Sequence, residues 1–225
     1  MTARTLFVTG TDTEIGKTRI ACALLRGLVA AGETAVGYKP VASGAVWQGR
    51  RLVNEDALAL QAAGSPGFTY EAINPLVFEP AIAPHIAAAE ADTPLTADKL
   101  TAGHDALAAR ADWVIVEGAG GWHVPLSDTL DFAGWAAGQN WPVLLVVGMR
   151  LGCVNHALLS ARAIAADTRL AGWVANCLPP KQPRLAENLA TLNARMPMSC
   201  CATVPIDPPA DLLLDIRAQL AGATA

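Results

Sequence analysis

The sequence predicts a mostly parallel α/β sheet with helices on both faces, formed by a single domain over residues 1–225. Short apolar runs rich in β-branched residues alternate along the chain with segments of helical length. The apolar runs lack the in-and-out alternation of strands that have one solvated face. They are therefore predicted to be buried on both faces, as parallel strands are.

Six segments are predicted as strands because each is a short apolar run bounded by glycine, proline or asparagine. They are residues 4–9, 34–38, 112–117, 142–148, 170–176 and 199–204. Strands separated in this way by helices form parallel sheets, because a crossover helix is needed to return the chain to the same edge.

The segments of helical length lie between and after these strands. The first carries Ile20, Leu24 and Leu28 on one face and ends near Gly32, a usual helix stop. The eight predicted helices are residues 17–31, 54–63, 82–91, 96–110, 129–139, 153–166, 184–195 and 209–220. The stretch 64–95 is otherwise the least regular part of the chain and is predicted to form a lid or an interface arm.

Composition excludes several classes of function. Hydrophobic residues make up 52% of the chain and charged residues 16%, but no apolar run approaches the roughly 18 residues of a membrane span. The net charge is −4 and basic residues form no block, so we expect no nucleic-acid partner. The N-terminus resembles no signal peptide, and the five cysteines have no disulfide or metal spacing. We therefore expect a cytoplasmic protein with reduced thiols and small substrates.

The stretch TGTDTEIGKT joins the first predicted strand to the first predicted helix. Gly10 and Gly16 let the backbone curl so that several N–H groups point at one anion, and the helix adds its N-terminal dipole. Lys17 would then reach the β and γ phosphates of a nucleotide, and the Thr18 hydroxyl would bind Mg²⁺. Five residues, 11–15, stand where the standard pattern has four. The motif predicts a P-loop NTPase-like fold, and a glycine-rich turn with an incidental lysine is the alternative.

Two further charged residues stand at or just after strand ends, where parallel α/β sheets bind ligands, and a third begins the helix that follows the Lys39 loop. Lys39, one of only four lysines, follows the second strand in GYKPVASG, and Glu117 closes the third strand in WVIVEGAGG. Asp56 begins a helix in NEDALAL. Carboxylate oxygens suit Mg²⁺, and glycines let a phosphate approach the backbone. From position alone, Lys39 is equally well a solvated lysine, and Asp56 an acid that complements a helix dipole.

Seven motifs in order, from about residue 5 to about residue 207, resemble those of the dethiobiotin synthetase family. They are GTDTEIGKT, GYKPVASG, NEDALAL, NP…PHIAA, VEGAGGW, LGCVNH and GWVAN. The resemblance includes the five-residue spacing of the P-loop. It implies a homodimer that uses ATP and Mg²⁺ to join CO₂ to 7,8-diaminopelargonate. The products are dethiobiotin, ADP and phosphate, formed through a carbamate and a carbamic–phosphoric mixed anhydride.

The resemblance also implies roles for individual residues. Lys17 and Lys39 are expected to be catalytic, and Thr18, Asp56 and Glu117 to bind Mg²⁺. The residues expected at the nucleotide are Thr13, Glu14, Ile15, Gly16, Lys17, Thr18, Asp56, Glu117, Gly118, Ala119, Gly120, Asn176, Pro205, Ile206 and Asp207. Asn176 is expected to read the adenine, although the residues after it and around 199–209 depart from the family pattern. The residues expected at the diamine are Ser43, Leu151, Gly152, Cys153, Val154 and Asn155, of which the last five would come from the other subunit.

Two other functions are alternatives to this one. A P-loop switch ATPase that acts through protein partners usually carries a second lysine five residues before the P-loop lysine, where this chain has Asp12. An amide-forming ligase that takes ammonia from glutamine would need a Cys-His glutaminase domain. This chain of 225 residues has no room for one, so a partner subunit would have to supply it.

Overall fold

A computed structural model describes residues 3–215 of the chain. In chain order its elements are β1 (Arg4–Gly10), α1 (Lys17–Ala30), β2 (Ala35–Tyr38), β3 (Val41–Ala42), β4 (Val46–Gln48), β5 (Arg51–Val53), α2 (Glu55–Ala63), α3 (Tyr70–Ile73), β6 (Leu76–Val77), α4 (Pro84–Glu90), α5 (Ala97–Ala108), β7 (Trp113–Glu117), α6 (Phe132–Gly138), β8 (Val143–Met149), α7 (Cys153–Asp167), β9 (Leu170–Cys177), α8 (Leu185–Arg195) and β10 (Cys200–Val204).

The six predicted strands form one fully parallel sheet in the order β10-β9-β8-β1-β7-β2. Every residue of β2, β7, β8 and β9 is buried, so both faces of the sheet are covered. This burial explains why the strand sequences are continuous apolar runs. Because all six strands run the same way, their carboxyl ends meet at one edge of the sheet.

Seven of the eight predicted helices are found within three residues of the predicted bounds. Several begin at a capping side chain that accepts a backbone N–H of the first turn. Asn54 accepts the N–H of Ala57 at the start of α2, and Thr96 accepts that of Lys99 at the start of α5. The glycine-capped helices α1 and α7 begin instead without a side-chain cap. The Cys153 N–H of α7 donates to the Arg150 carbonyl, and the remaining N–H groups of these first turns are available to other partners.

The structure corrects the prediction in two places. The stretch 64–95 contains α4, as predicted, but also two short elements that were not predicted, α3 and β6. Residues 41–77 form a small region outside the six-stranded sheet, in which β6 pairs with β3 and β4 forms a hairpin with β5. The helix predicted at 209–220 is wrong over 209–215, which has no helical residue, and residues 216–220 lie outside the described part of the chain. Between residues 3 and 215, no helix combines the length and apolarity needed to cross a membrane.

Candidate active site

The strand order brings together side chains that are far apart in sequence. β7 lies between β1 and β2, and it ends at Glu117. Lys17 begins the helix after β1, and Lys39 directly follows β2. Glu117 is therefore flanked by the two lysines at the carboxyl edge of the sheet, the edge at which parallel α/β proteins bind ligands.

Glu117 is the hub of this cluster. Its Oε1 accepts hydrogen bonds from Lys39 Nζ at 2.8 Å and from the Thr18 hydroxyl at 2.8 Å. Lys39 Nζ also lies 3.1 Å from Asp56 Oδ2. Glu117 is 0% exposed and Lys39 4% exposed, so the pair is shielded from solvent. The structure thus unites Thr18, Lys39, Asp56 and Glu117 as the sequence predicted, with Lys17 beside them.

The P-loop between β1 and α1 needs glycine where the motif places it. Gly16 has φ 86°, and a Cβ there would lie 2.2 Å from Asn176 Nδ2. Asn176, at the end of β9, donates from that nitrogen to the Ile15 carbonyl at 2.7 Å. A residue predicted to read the base, at the end of β9, therefore holds the P-loop in place through a side-chain hydrogen bond. Thr13 and Glu14 are exposed on the rim of the loop.

Electrostatics hold Lys39 and Asp56 in their charged forms. Burial by itself would lower the pKa of Lys39, but the Glu117 and Asp56 carboxylates together raise it above its ordinary value. Burial would likewise raise the pKa of Asp56, but the Lys39 ammonium and the Thr18 hydroxyl outweigh it and hold that pKa low. The Lys39 ammonium therefore lies between the Asp56 and Glu117 side chains, which compensate its buried charge.

Lys17 behaves differently because no carboxylate within residues 3–215 is bonded to it. Its ammonium donates to the Asp12 carbonyl at 2.8 Å. Burial lowers the pKa of Lys17 to about 8, with a further lowering from the Lys39 ammonium, although Glu117 opposes both. The charge of a buried ammonium is incompletely compensated when its acceptor is neutral, and an anionic ligand would supply the missing partner.

Unpartnered polar atoms mark the same edge of the sheet. Within residues 3–215, five buried side-chain polar atoms meet no hydrogen-bond partner, and three of these belong to predicted site residues. They are Ser43 Oγ, Glu117 Oε2 and Asn176 Oδ1. Native proteins rarely leave such atoms unsatisfied, so these three indicate places that a ligand fills.

The oxygen donors fit Mg²⁺. Glu117 Oε2 has an unused acceptor position beside the Thr18 hydroxyl and the half-exposed Asp56 carboxylate. Among the described residues, no group of three or more His, Cys, Asp and Glu could hold a metal ion by itself. This agrees with the usual Mg²⁺ site of nucleotide enzymes, in which one or two carboxylates are joined by phosphate oxygens and water.

The glycine segment after β7 lies against the P-loop. A Cβ on Gly118 would lie 3.1 Å from the Phe7 ring, and one on Gly120 would lie 2.9 Å from Val124 and 3.6 Å from Thr13 Oγ1. Gly120 also has φ 63°, which other residues adopt only with strain. Small residues at 118–120, including Ala119, therefore keep the two loops close together.

A cleft of about 310 Å³ opens beside Asn176, at the ends of β8 and β9. Its walls include Met149, Cys177 and Lys181 together with the predicted base-loop residues Pro205, Ile206 and Asp207. The Arg19 side chain of α1 donates to the Ile206 carbonyl at 3.3 Å, which ties this loop to the P-loop helix. The cleft is lined mainly by apolar groups, as a site for a flat heterocycle would be.

The segment Leu151–Asn155 lies at the start of α7 and next to the P-loop. Leu151 is 96% exposed, Gly152 has φ 95°, and Cys153 is buried at the first helical position. Val154 and Asn155 continue the first turn, which carries no acidic residue. The Cys153 N–H donates to the Arg150 carbonyl at 3.0 Å, so an anion here would meet the N–H groups of Val154 and Asn155.

Sequence reasoning missed the residue that joins this segment to the P-loop. Arg150, directly before Leu151, forms an ion pair with the Asp12 carboxylate. No sequence signal predicts this pair, because Asp12 and Arg150 are both half-exposed and a solvated aspartate requires no cationic partner. The ion pair connects the P-loop to the start of α7 within one subunit.

Comparison with known proteins decides the family. A family model described as an AAA domain matches residues 4–211. The ATP-dependent dethiobiotin synthetase BioD of Pseudescherichia vulneris is 51% identical over 200 residues, which are 88% of this chain and 83% of that protein. The one of Pseudomonas paraeruginosa is 55% identical over 204 residues, 88% of each chain. The chain belongs to the dethiobiotin synthetase family.

Solved structures show that the dethiobiotin synthetase chain has the fold of P-loop NTPases, as predicted. A ParA family ATPase from Chlorobium tepidum has a TM-score of 0.54 at 10% identity, covering 97% of this chain and 89% of its own. The septum site-determining protein MinD of Pyrococcus horikoshii, complexed with Mg-ADP, has a TM-score of 0.51 at 15% identity, covering 91% and 82%. At such identities the likeness is one of fold, and the roles of individual site residues stay predictions.

Proposed function

We propose that this chain is an ATP-dependent dethiobiotin synthase that joins CO₂ to 7,8-diaminopelargonate, with Mg²⁺ as its metal. The observation that carries the proposal is the convergence of Lys39 and Thr18 on Glu117, with Lys17 beside them, at the edge of the sheet where the P-loop opens. Membership of the dethiobiotin synthetase family supports the identity of the substrates.

In the proposed reaction, an unprotonated amine of the diamine adds to CO₂, and the proton it loses goes to solvent. The resulting carbamate is an anion, so its oxygen attacks the γ-phosphorus of ATP without a strong general base, and ADP leaves. The neighbouring amine then attacks the carbonyl of the mixed anhydride. The ring closes, phosphate leaves, and the second amine loses a proton. Such a reaction depends mainly on placement and charge stabilisation.

The chain's own groups supply that stabilisation. Lys17 would neutralise phosphate oxygens, because its ammonium lacks an anionic partner in the structure. Lys39 would face both the carbamate and the transferred phosphoryl group, since Glu117 and Asp56 keep it charged and fixed. Thr18, Asp56 and Glu117 would hold Mg²⁺, which screens phosphate charge when bound. Preorganised charges of this kind cost no reorganisation during the reaction.

The two ends of the diamine would be held by different segments. Ser43, whose hydroxyl oxygen is buried without a partner among the described residues, supports an amine-side site. The uncapped start of α7 at Leu151–Asn155 supports a site for the distant carboxylate. We propose that the enzyme is a cytoplasmic homodimer in which α7 of one subunit serves the active site of the other.

The Lys17 ammonium makes nucleotide binding depend on pH. Its pKa of about 8 means that the free protein loses this charge above pH 8. Bound phosphates favour the charged form, so affinity for Mg-ADP should be constant below about pH 7.5 and should weaken towards tenfold per pH unit above 8. Isothermal titration calorimetry from pH 7 to 9.5 should show proton uptake on the alkaline side. A Lys17→Arg variant should lose this slope, and a flat wild-type affinity up to pH 9.5 would contradict the role of Lys17.

A labelling assay tests the proposed function directly. Purified protein with ATP, Mg²⁺, labelled bicarbonate and 7,8-diaminopelargonate should fix label in an acid-stable product, one per ADP released. Omitting the diamine should abolish both label fixation and most ATP hydrolysis. ATP hydrolysis that proceeds without the diamine and is stimulated by DNA or lipid would instead indicate a P-loop switch ATPase.

A further inference from the structure

A buried chain of hydrogen bonds links the backbone at Lys39 to the helix that carries Asp56. At its centre is the hydroxyl of Tyr70, at the start of α3, which accepts the Asn54 backbone N–H at 2.7 Å. The same hydroxyl donates to Asn74 Oδ1 at 2.9 Å. Tyr70, Asn54 and Asn74 are all buried. Each hydrogen bond is therefore shielded from competing water.

At one end of this series of hydrogen bonds is the backbone of Lys39. Asn74 Nδ2 donates to the Lys39 carbonyl at 2.7 Å, and the Lys39 N–H donates to the Ile73 carbonyl at 2.9 Å. Both polar backbone groups of Lys39 are thus bonded to the end of α3. The position from which the Lys39 side chain reaches Glu117 is set by α3 as well as by β2.

At the other end of the hydrogen-bond series is Asn54, which is bonded to the segments of Asp56 and Ser43. Asn54 caps α2 by accepting the Ala57 N–H at 3.3 Å, and Asp56 lies in the first turn of that helix. Asn54 Nδ2 also approaches the Ser43 carbonyl at 3.4 Å. One hydroxyl therefore connects three segments that each bring a predicted site residue, and two of those residues form the ion pair of Lys39 with Asp56.

We propose that Tyr70 is a positioning residue that fixes Lys39 relative to Asp56 and Ser43 through Asn54 and Asn74. It acts through the Asn54 backbone N–H and the Asn74 side chain rather than on a substrate. The catalytic consequence rests on the proposed function, in which Lys39 stabilises developing charge. Misplacement of such a group by a fraction of an ångström lowers the rate strongly, while binding elsewhere is retained.

Replacing Tyr70 with phenylalanine should lower kcat for dethiobiotin formation by about tenfold or more. KM for ATP should stay within about twofold, because the P-loop is not part of the hydrogen-bond chain. The matched control is Tyr38→Phe, which removes another buried phenol hydroxyl, one that donates to the Leu100 carbonyl at 2.9 Å. The proposal is overturned if Tyr38→Phe lowers kcat as much as Tyr70→Phe does.

A double-mutant cycle separates positioning from general loss of stability. If Tyr70 acts through Lys39, its replacement should have an effect of less than about twofold once Lys39 is already glutamine. An equal fold-loss in the wild-type and Lys39→Gln backgrounds would mean that the Tyr70 hydroxyl does not act through Lys39.

Amide hydrogen exchange provides a readout that requires no activity. In Tyr70→Phe, protection should fall in residues 39–44 and 54–58 but remain in β1 and β8, whereas Tyr38→Phe should leave 54–58 unchanged. Unchanged exchange at 39–44 and 54–58, or a loss spread evenly over the chain, would refute the positioning role. If the wild type forms no dethiobiotin, the proposed function fails, and this measurement still decides whether Tyr70 orders the two segments.

Discussion

Replacing Lys39 with glutamine is expected to lower kcat by roughly 10²-fold or more, the usual cost of losing one charge-stabilising donor. Lys39 is the cation that lies between Glu117 and Asp56, at 2.8 and 3.1 Å, and is shielded from solvent. Glutamine keeps an N–H donor but removes the charge. Steady-state label fixation and single-turnover measurements should both show the loss, since the transfer step itself is slowed.

A control variant and a variant that keeps the charge accompany Lys39→Gln. Lys99→Gln removes a surface lysine that bonds only the Pro94 carbonyl among its described contacts, and its kcat should match that of the wild type. Lys39→Arg keeps the charge but replaces a compact ammonium with a planar fork, which the enclosed position between two carboxylates should accommodate poorly. It should recover less than about a tenth of the wild-type rate. Near-normal turnover in Lys39→Gln would remove Lys39 from the proposed mechanism.

The parts of the fold that were predicted are those with a repeated local signal. The central strands of the large sheet are buried apolar runs, and seven helices are long enough to be predicted from segment length and their start and stop residues. The elements that were missed are too short for any periodicity: α3 has four residues, and β3 and β6 have two each. Their conformations are set by tertiary contacts with the segment after β2.

The candidate site was predicted residue by residue, but its internal bonding was not. Position alone gave no preference between Lys39 as a site residue and Lys39 as a solvated lysine. The strand order β1-β7-β2, which sequence patterns do not reveal, places it on Glu117. No sequence pattern indicates that Lys39, Asp56 and Glu117 bond one another, because such pairing depends on distances across three segments.

The hydrogen-bond chain of Tyr70 was also missed, although part of it had a readable signal. Asn54 directly precedes Glu55 and Asp56 at a helix start, which is the usual pattern of an N-cap asparagine. Its hydrogen bond to Tyr70 spans 16 residues and depends on how residues 41–77 fold. Caps can be predicted from adjacent residues, whereas a buried network that joins loops requires the tertiary structure.

Replacing Glu117 with glutamine is expected to disturb both stability and catalysis. Glu117 accepts from Lys39 and Thr18 through one oxygen, while its other oxygen has no partner among the described residues. The amide cannot balance the Lys39 charge, and it turns one buried acceptor into an unpaired donor. Removal of one member of a buried ion pair costs several kcal/mol, and because Asp56 remains we expect about 3 kcal/mol in urea unfolding of the ligand-free protein.

The same substitution should also raise the Mg²⁺ concentration needed for half-maximal activity and lower kcat at saturating Mg²⁺ by about 10²-fold or more, since Glu117 is the buried carboxylate of the proposed metal site. Asp112→Asn is the matched control. Its carboxylate lies next to the opposite end of β7 and accepts the Thr34 N–H at 2.8 Å. This variant should lose less than about 1 kcal/mol, because that bond is exposed, and its Mg²⁺ dependence should be unchanged. If Glu117→Gln keeps the wild-type Mg²⁺ requirement while its stability falls as expected, Glu117 serves to hold Lys39 and the metal is bound elsewhere.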